Sequence, residues 1–110
     1  MKNLKWHLRK NTKRKISHKK GGSHPSLVIG ESEDGTSYYN IGLTHAKRRG
    51  HHNNIEIHDP KDWSKTSFVR DDIQVDSKEY LKVVLNNYKL NPKDIDKIWK
   101  IIKKRIPTRR

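Results

Sequence analysis

Between residues 26 and 75 the apolar residues come in short runs broken by turn formers, and that spacing confines this part of the chain to short strands. The runs cover residues 26–29, 37–44, 55–58, 66–70 and 73–75. Ile55 and Ile57 alternate with Glu56 and His58, which is the period of a strand with one buried face. Asp34-Gly35 reads as a turn because both residues tolerate a positive φ, and Asp59-Pro60 interrupts the pattern again. Four or five short strands are implied.

The chain changes period near its end. Asn91 suits a helix N-cap, Pro92 suits the first helical position, and Ile95, Ile98, Trp99 and Ile102 recur at helical spacing. A terminal amphipathic helix packed on the sheet follows, with Lys97, Lys100, Lys103 and Lys104 on its other face. Residues 80–85 suit a short helix or a buried strand equally well. The fold class is therefore mainly β with a C-terminal helix. A chain of 110 residues with 30% hydrophobic residues encloses one modest core, so a second domain is excluded.

Charge divides the chain differently. Residues 1–22 carry Lys2, Lys5, Arg9, Lys10, Lys13, Arg14, Lys15, Lys19 and Lys20 and no acid, whereas residues 23–75 are nearly balanced. The first stretch reads as a basic flexible arm, since Leu4, Trp6, Leu8 and Ile16 offer little burial to offset its ordering entropy, and Gly21-Gly22 reads as a hinge. The domain proper then spans residues 23–110. Over the whole chain 26 Lys and Arg face 12 Asp and Glu, giving a net charge of +14. Such a field attracts polyanions and makes their binding sensitive to salt. A phosphate-rich partner is expected, RNA ahead of DNA. Tyr38, Tyr39 and Trp63, on or near the expected sheet, could stack on unpaired bases.

The absence of cysteine fits a reducing compartment, and the cytoplasm is the expected location. No run approaches a membrane span or a signal-peptide core, so neither membrane insertion nor classical secretion is expected. No Gly-rich phosphate loop is present and no cofactor is called for. His45, His51, His52 and His58 do not suggest a metal site, because the basic surroundings repel a cation and thiolate partners are lacking.

The order of several segments resembles the MazF/PemK toxins. The matching stretches are His24-Pro25-Ser26-Leu27-Val28-Ile29, Tyr39-Asn40-Ile41-Gly42-Leu43-Thr44, residues 67–75 from Ser67-Phe68-Val69-Arg70 to Ile73-Gln74-Val75, and Leu90-Asn91-Pro92-Lys93-Asp94-Ile95-Asp96-Lys97-Ile98. Together they run from about residue 24 to residue 102. The resemblance implies a small SH3-like, PemK-like β-barrel with a C-terminal helix. It further implies a homodimer, metal-independent cleavage of single-stranded RNA, and an acidic antitoxin as partner. It puts His24 and Thr44 at the catalytic positions. Two departures stand out: the family has an arginine before the proline where this chain has His24, and its apolar first strand is replaced here by the basic stretch around Trp6-His7-Leu8.

Metal-free RNA cleavage needs a base for the 2′-hydroxyl proton, a donor for the leaving oxygen and positive charge at the phosphate. A histidine trades protons near neutral pH but adds less fixed charge than an arginine, so His24 requires a neighbouring cation. Arg48, Arg49 and Arg70 are the candidates. Lys47, Arg48 and Arg49, in the loop after Thr44, are expected to contact phosphates with Arg70, and Lys13, Arg14 and Lys15 to do so from the arm. Three readings remain open: a toxin-like endoribonuclease, a non-catalytic RNA- or DNA-binding module of phage or plasmid origin, and an interaction domain with a polyanion-docking tail.

Overall fold

A computed structural model describes residues 4–10 and 23–109. Its elements in chain order are β1 (Lys5–Lys10), β2 (Ser23–Glu31), β3 (Ser37–Thr44), β4 (Arg48–Arg49), β5 (His52–Asn53), β6 (Ile55–Asp59), β7 (Asp62–Val69), β8 (Gln74–Ser77), β9 (Val83–Val84), α1 (Pro92–Ile102) and β10 (Thr108–Arg109). The expected mainly β chain with a C-terminal helix is what is found.

The main sheet runs β10-β8-β3-β2-β1-β9, with β7 also pairing the end of β3 and β6 pairing β7. Among the described residues this path does not return on itself. The expected barrel is therefore an open sheet, because β6, β9 and β10 each end a line of pairing. A β-bulge in β2, between Val28 and Gly30, shifts the register against β3, from Val28↔Asn40 before it to Gly30↔Tyr39 after it.

The first correction concerns the arm. Residues 5–10 form a strand with full antiparallel register against β2, from Lys5↔Val28 to Lys10↔Ser23. Trp6 and Leu8 alternate with Lys5, His7 and Arg9, and this period-two pattern places the indole of Trp6 in the core, where it is 1% exposed. The chain thus supplies its first strand from the stretch read as a tail. Residues 1–3 and 11–22 of the expected arm, Lys13, Arg14 and Lys15 among them, lie outside the described residues.

One face of the sheet is apolar. Trp6, Leu27, Ile41 and Val69 on the sheet meet Ile55 and Ile57 of β6 and Ile98 and Ile102 of α1 in a single cluster. The helix is seated by its ends and its stripe. The Asn91 side chain accepts from the Lys93 N–H at 2.9 Å, satisfying one of the free donors of the first turn. Asp94, 2% exposed, accepts from the His58 backbone N–H at 2.9 Å and lies 3.1 Å from the His58 ring, which ties the first turn of α1 to β6. Residues 80–85 resolve into a turn followed by the two-residue β9. Leu81 there is fully buried, and its carbonyl accepts from the His7 ring at 2.5 Å.

Candidate nucleic-acid interface

The opposite face of the sheet carries several buried polar residues, His7, Ser26, Asn40 and Asp76 among them. Cross-strand partners share a face, so the register places Lys5, His7 and Arg9 of β1 beside Val28, Ser26 and His24 of β2. Across the next seam Ser26 faces Gly42 and Val28 faces Asn40. Two residues outward from the Ser26↔Gly42 pair, His24 and Thr44 stand at the same end of β2 and β3 on the same face. The register thus puts the two residues singled out as catalytic, twenty positions apart in sequence, on one face at the same end of the two strands, just beyond the last paired residues Ser26 and Gly42. His24 also stands directly opposite Arg9.

Arg70 completes this corner. Its backbone N–H donates to the Gly42 carbonyl at 2.8 Å, and a Cβ on residue 42 would lie 3.9 Å from the Arg70 side chain. The arginine stem therefore lies across Gly42, on the face that carries His24 and Thr44. Its guanidinium is held from behind, with Nε donating to Asp72 at 3.3 Å while Gln74 donates to the other Asp72 oxygen at 2.6 Å. Side-chain exposure of 31% keeps part of that guanidinium open to solvent. The Thr44 hydroxyl accepts from the Ala46 N–H at 3.1 Å, so its own proton points to whatever acceptor occupies the corner.

The loop after Thr44 is shaped as a small hairpin. Arg48 pairs with Asn53 and Arg49 with His52, around Gly50 at φ 60°, a conformation that favours glycine. Asn54 locks the base of the hairpin, with its backbone N–H donating to the Lys47 carbonyl at 3.0 Å and its side chain to the Ala46 carbonyl at 2.9 Å. Lys47 and Arg48 are exposed and form no ion pair among the described residues. They are positioned as solvated cations beside the Thr44 corner.

Sequence reasoning missed the polar network under this surface. The Arg9 guanidinium lies 3.4 Å from Asp76, which also accepts from the Asn40 side chain at 3.0 Å. Arg9 belongs to β1 and Asp76 to β8, with β2 and β3 between them. Arg9 is level with His24, and Asp76 with Tyr38 at the far end of β3. At about 4.8 Å per strand spacing a flat sheet would hold these corners well beyond side-chain reach. Their contact therefore requires the corners to approach one another across the polar face, as the right-handed twist of a sheet allows. His7, packed against Tyr38 with ring centroids 5.3 Å apart, bridges the same diagonal. At its rim Lys78 lies over the Tyr38 ring, and its hydrogen bond to Glu31 raises the Lys78 pKa, with nearby acidic groups adding to the effect. The alternation of residues 5–9 could have flagged the strand.

A cleft of about 820 Å³ opens beside the corner, lined by His51, His52, Asn54, Arg70, Asp71 and Arg105. Arg105, just beyond α1, donates to the Asp71 carboxylate at 3.0 Å. Arg70 belongs to both places, crossing Gly42 on one side and lining the cleft on the other. Among the described residues, no three His, Cys, Asp or Glu side chains come together as a metal site. Nor is any helix there long and apolar enough to cross a membrane. Comparison with protein-family models, curated proteins and solved structures finds no match to this chain.

Proposed function

We propose that the chain binds single-stranded RNA through the corner formed by His24, Thr44 and Arg70 and the adjoining basic hairpin, and that it cuts the strand without a metal in the manner of the MazF/PemK toxins. The observation that supports this most is the β2–β3 register, which puts an imidazole and a hydroxyl on one face at the same strand end, beside the Arg70 side chain whose stem crosses Gly42. In this reading the open sheet with its terminal helix is an SH3-like, PemK-like fold, the molecule works as a homodimer in the cytoplasm, and an acidic antitoxin is its inhibitor.

The chemistry is a transesterification. The neutral imidazole of His24 takes the proton of the 2′-hydroxyl, the 2′-oxygen bonds to phosphorus, and the bond from phosphorus to the 5′-oxygen breaks. The leaving 5′-oxygen takes the proton back from the imidazolium, which leaves a 2′,3′-cyclic phosphate and a free 5′-hydroxyl. Thr44 donates to a non-bridging oxygen, and Arg70 balances the charge that builds on the phosphorane. Lys47, Arg48 and Arg49 track the backbone on either side.

One observation favours binding without cleavage. The His24 ring is exposed, and no hydrogen-bond partner orients it among the described residues. A general base is ordinarily held by a third group. A non-catalytic RNA- or DNA-binding module would use the same face and ask nothing of that ring.

Both readings predict electrostatic binding. If about four phosphates are neutralised, affinity for a single strand is expected to fall about 50-fold between roughly 50 and 200 mM salt. Fluorescence anisotropy with a labelled oligoribonucleotide measures this directly, and a flat salt response would remove nucleic acid as the partner.

A further inference from the structure

We infer that the cleft beside Arg70 is a nucleobase pocket, which takes the base of the nucleotide whose phosphate rests at Thr44 and Arg70. The identity of that nucleotide as part of an RNA strand rests on the function proposed above; the pocket itself rests on its own walls. Its volume of about 820 Å³ falls within the range of about 300–1,000 Å³ typical of small-molecule sites.

The walls are chemically wrong for a bare anion and right for a flat, polar ring. Both arginines are already matched by carboxylates, Arg70 by Asp72 at 3.3 Å and Arg105 by Asp71 at 3.0 Å. The Arg105 Nε also lies 3.3 Å from the Asp71 carbonyl oxygen, fixing the guanidinium plane from two directions. Inside the cleft a free phosphate would meet the Asp71 and Asp72 carboxylates, whereas Arg70, with 31% of its side chain open to solvent, still serves a phosphate at the corner. A base edge, which presents donors and acceptors side by side, can instead use guanidinium N–H groups, carboxylate oxygens and an amide at once. The exposed imidazoles of His51 and His52 and the guanidinium planes add surfaces on which a ring can stack.

Position adds the second part of the argument. Arg70 is shared by the phosphate corner and the cleft, so the two are contiguous. The hairpin that carries His51 and His52 is the one whose first strand carries Arg48 and Arg49. A strand of nucleic acid following those cations past Thr44 is led to the mouth of the cleft. The pocket gives the interface a means of preferring one base over another, which phosphate contacts alone do not supply.

The test follows the imidazole C–H signals of His51 and His52 by NMR while the intact chain is titrated with the four ribonucleoside 5′-monophosphates, with a five-nucleotide RNA, and separately with inorganic phosphate. The expected result is that at least one mononucleotide and the RNA shift both signals, that phosphate does not, and that Arg105→Ala weakens the effect about tenfold, in line with the loss of one hydrogen-bonded base contact. His51→Ala, an exposed change that leaves the Arg105 ion pair in place, is expected to weaken it as well. Equal shifts with phosphate would make the cleft an anion site and overturn the inference. Unmoved signals with every nucleotide, in a chain that still binds RNA by anisotropy, would overturn the pocket and leave the proposed function standing. Nucleotides that enter the cleft of a chain with no affinity for longer RNA would uphold the pocket and remove that function.

Discussion

Trp6→Ala is expected to lower the unfolding free energy by about 3–5 kcal/mol, the range for truncating a fully enclosed tryptophan. The indole is 1% exposed, packs beside the Tyr88 ring at a centroid distance of 6.2 Å, and belongs to the central apolar cluster. Its strand is stitched on both sides, to β2 through Trp6↔Leu27 and to the segment at β9 through the Leu85 N–H, which donates to the Trp6 carbonyl at 2.8 Å. Removing the side chain therefore opens a cavity between β1, the sheet and residues 85–90. A domain of this size has about 5–15 kcal/mol in total, so roughly a fifth of it or more goes. Urea denaturation followed by circular dichroism measures the loss. Lys5→Ala on the neighbouring exposed position serves as the control and is expected to fall within about 0.5 kcal/mol of the parent. Equal stabilities for Trp6→Ala and the parent would mean that the stretch before residue 11 is an arm after all.

Asp76→Ala is expected to cost about 3–5 kcal/mol, more than most polar changes in a small protein. Asp76 is 4% exposed and stands between the Arg9 guanidinium at 3.4 Å and the Asn40 amide at 3.0 Å. Alanine leaves a guanidinium with only 14% side-chain exposure without its counter-charge and a buried amide without that acceptor. The loss arises mainly from the stranded charge, so the double variant Arg9→Met, Asp76→Ala is expected to recover much of it. The same denaturation experiment reads both. Because this pair ties opposite corners of the sheet, Asp76→Ala is also expected to loosen the polar face and weaken RNA binding. An Asp76→Ala variant as stable as the parent would show that the two corners do not meet.

The parts of this fold that were legible in the sequence are those whose signals are local. Asn91 and Pro92 mark the helix start at the positions where they act, and the 37–44 run becomes β3 without adjustment. The strand over residues 5–10 was hidden because its charge spoke louder than its alternation, although Trp6 and Leu8 already carry the period of two. Residues 80–85 were ambiguous for a physical reason: Leu81 is buried from a turn, where neither helical nor strand spacing applies. The site was half visible. His24 and Thr44 could be named from the resemblance, but their meeting depends on register, which local pattern does not encode. Arg9 and Asp76 lie 67 positions apart and meet only through the twist of four strands. The cleft is built from the 50–54 hairpin, the 70–72 turn and Arg105, three segments with nothing in common along the chain.

The central claim is that the corner of His24, Thr44 and Arg70 cuts RNA. Its most direct test incubates the purified chain, in EDTA, with a mixed-sequence single-stranded RNA and separates the products on a sequencing gel beside His24→Ala and Thr44→Ala, two exposed or half-exposed changes outside the core. Discrete fragments ending in 2′,3′-cyclic phosphate are expected from the parent, lost by 100-fold or more in His24→Ala, in line with the roughly 10²–10⁴-fold contribution of a general base, and strongly reduced in Thr44→Ala. RNA bound by the parent in a salt-sensitive way but left intact, or cut equally well by His24→Ala, would contradict it.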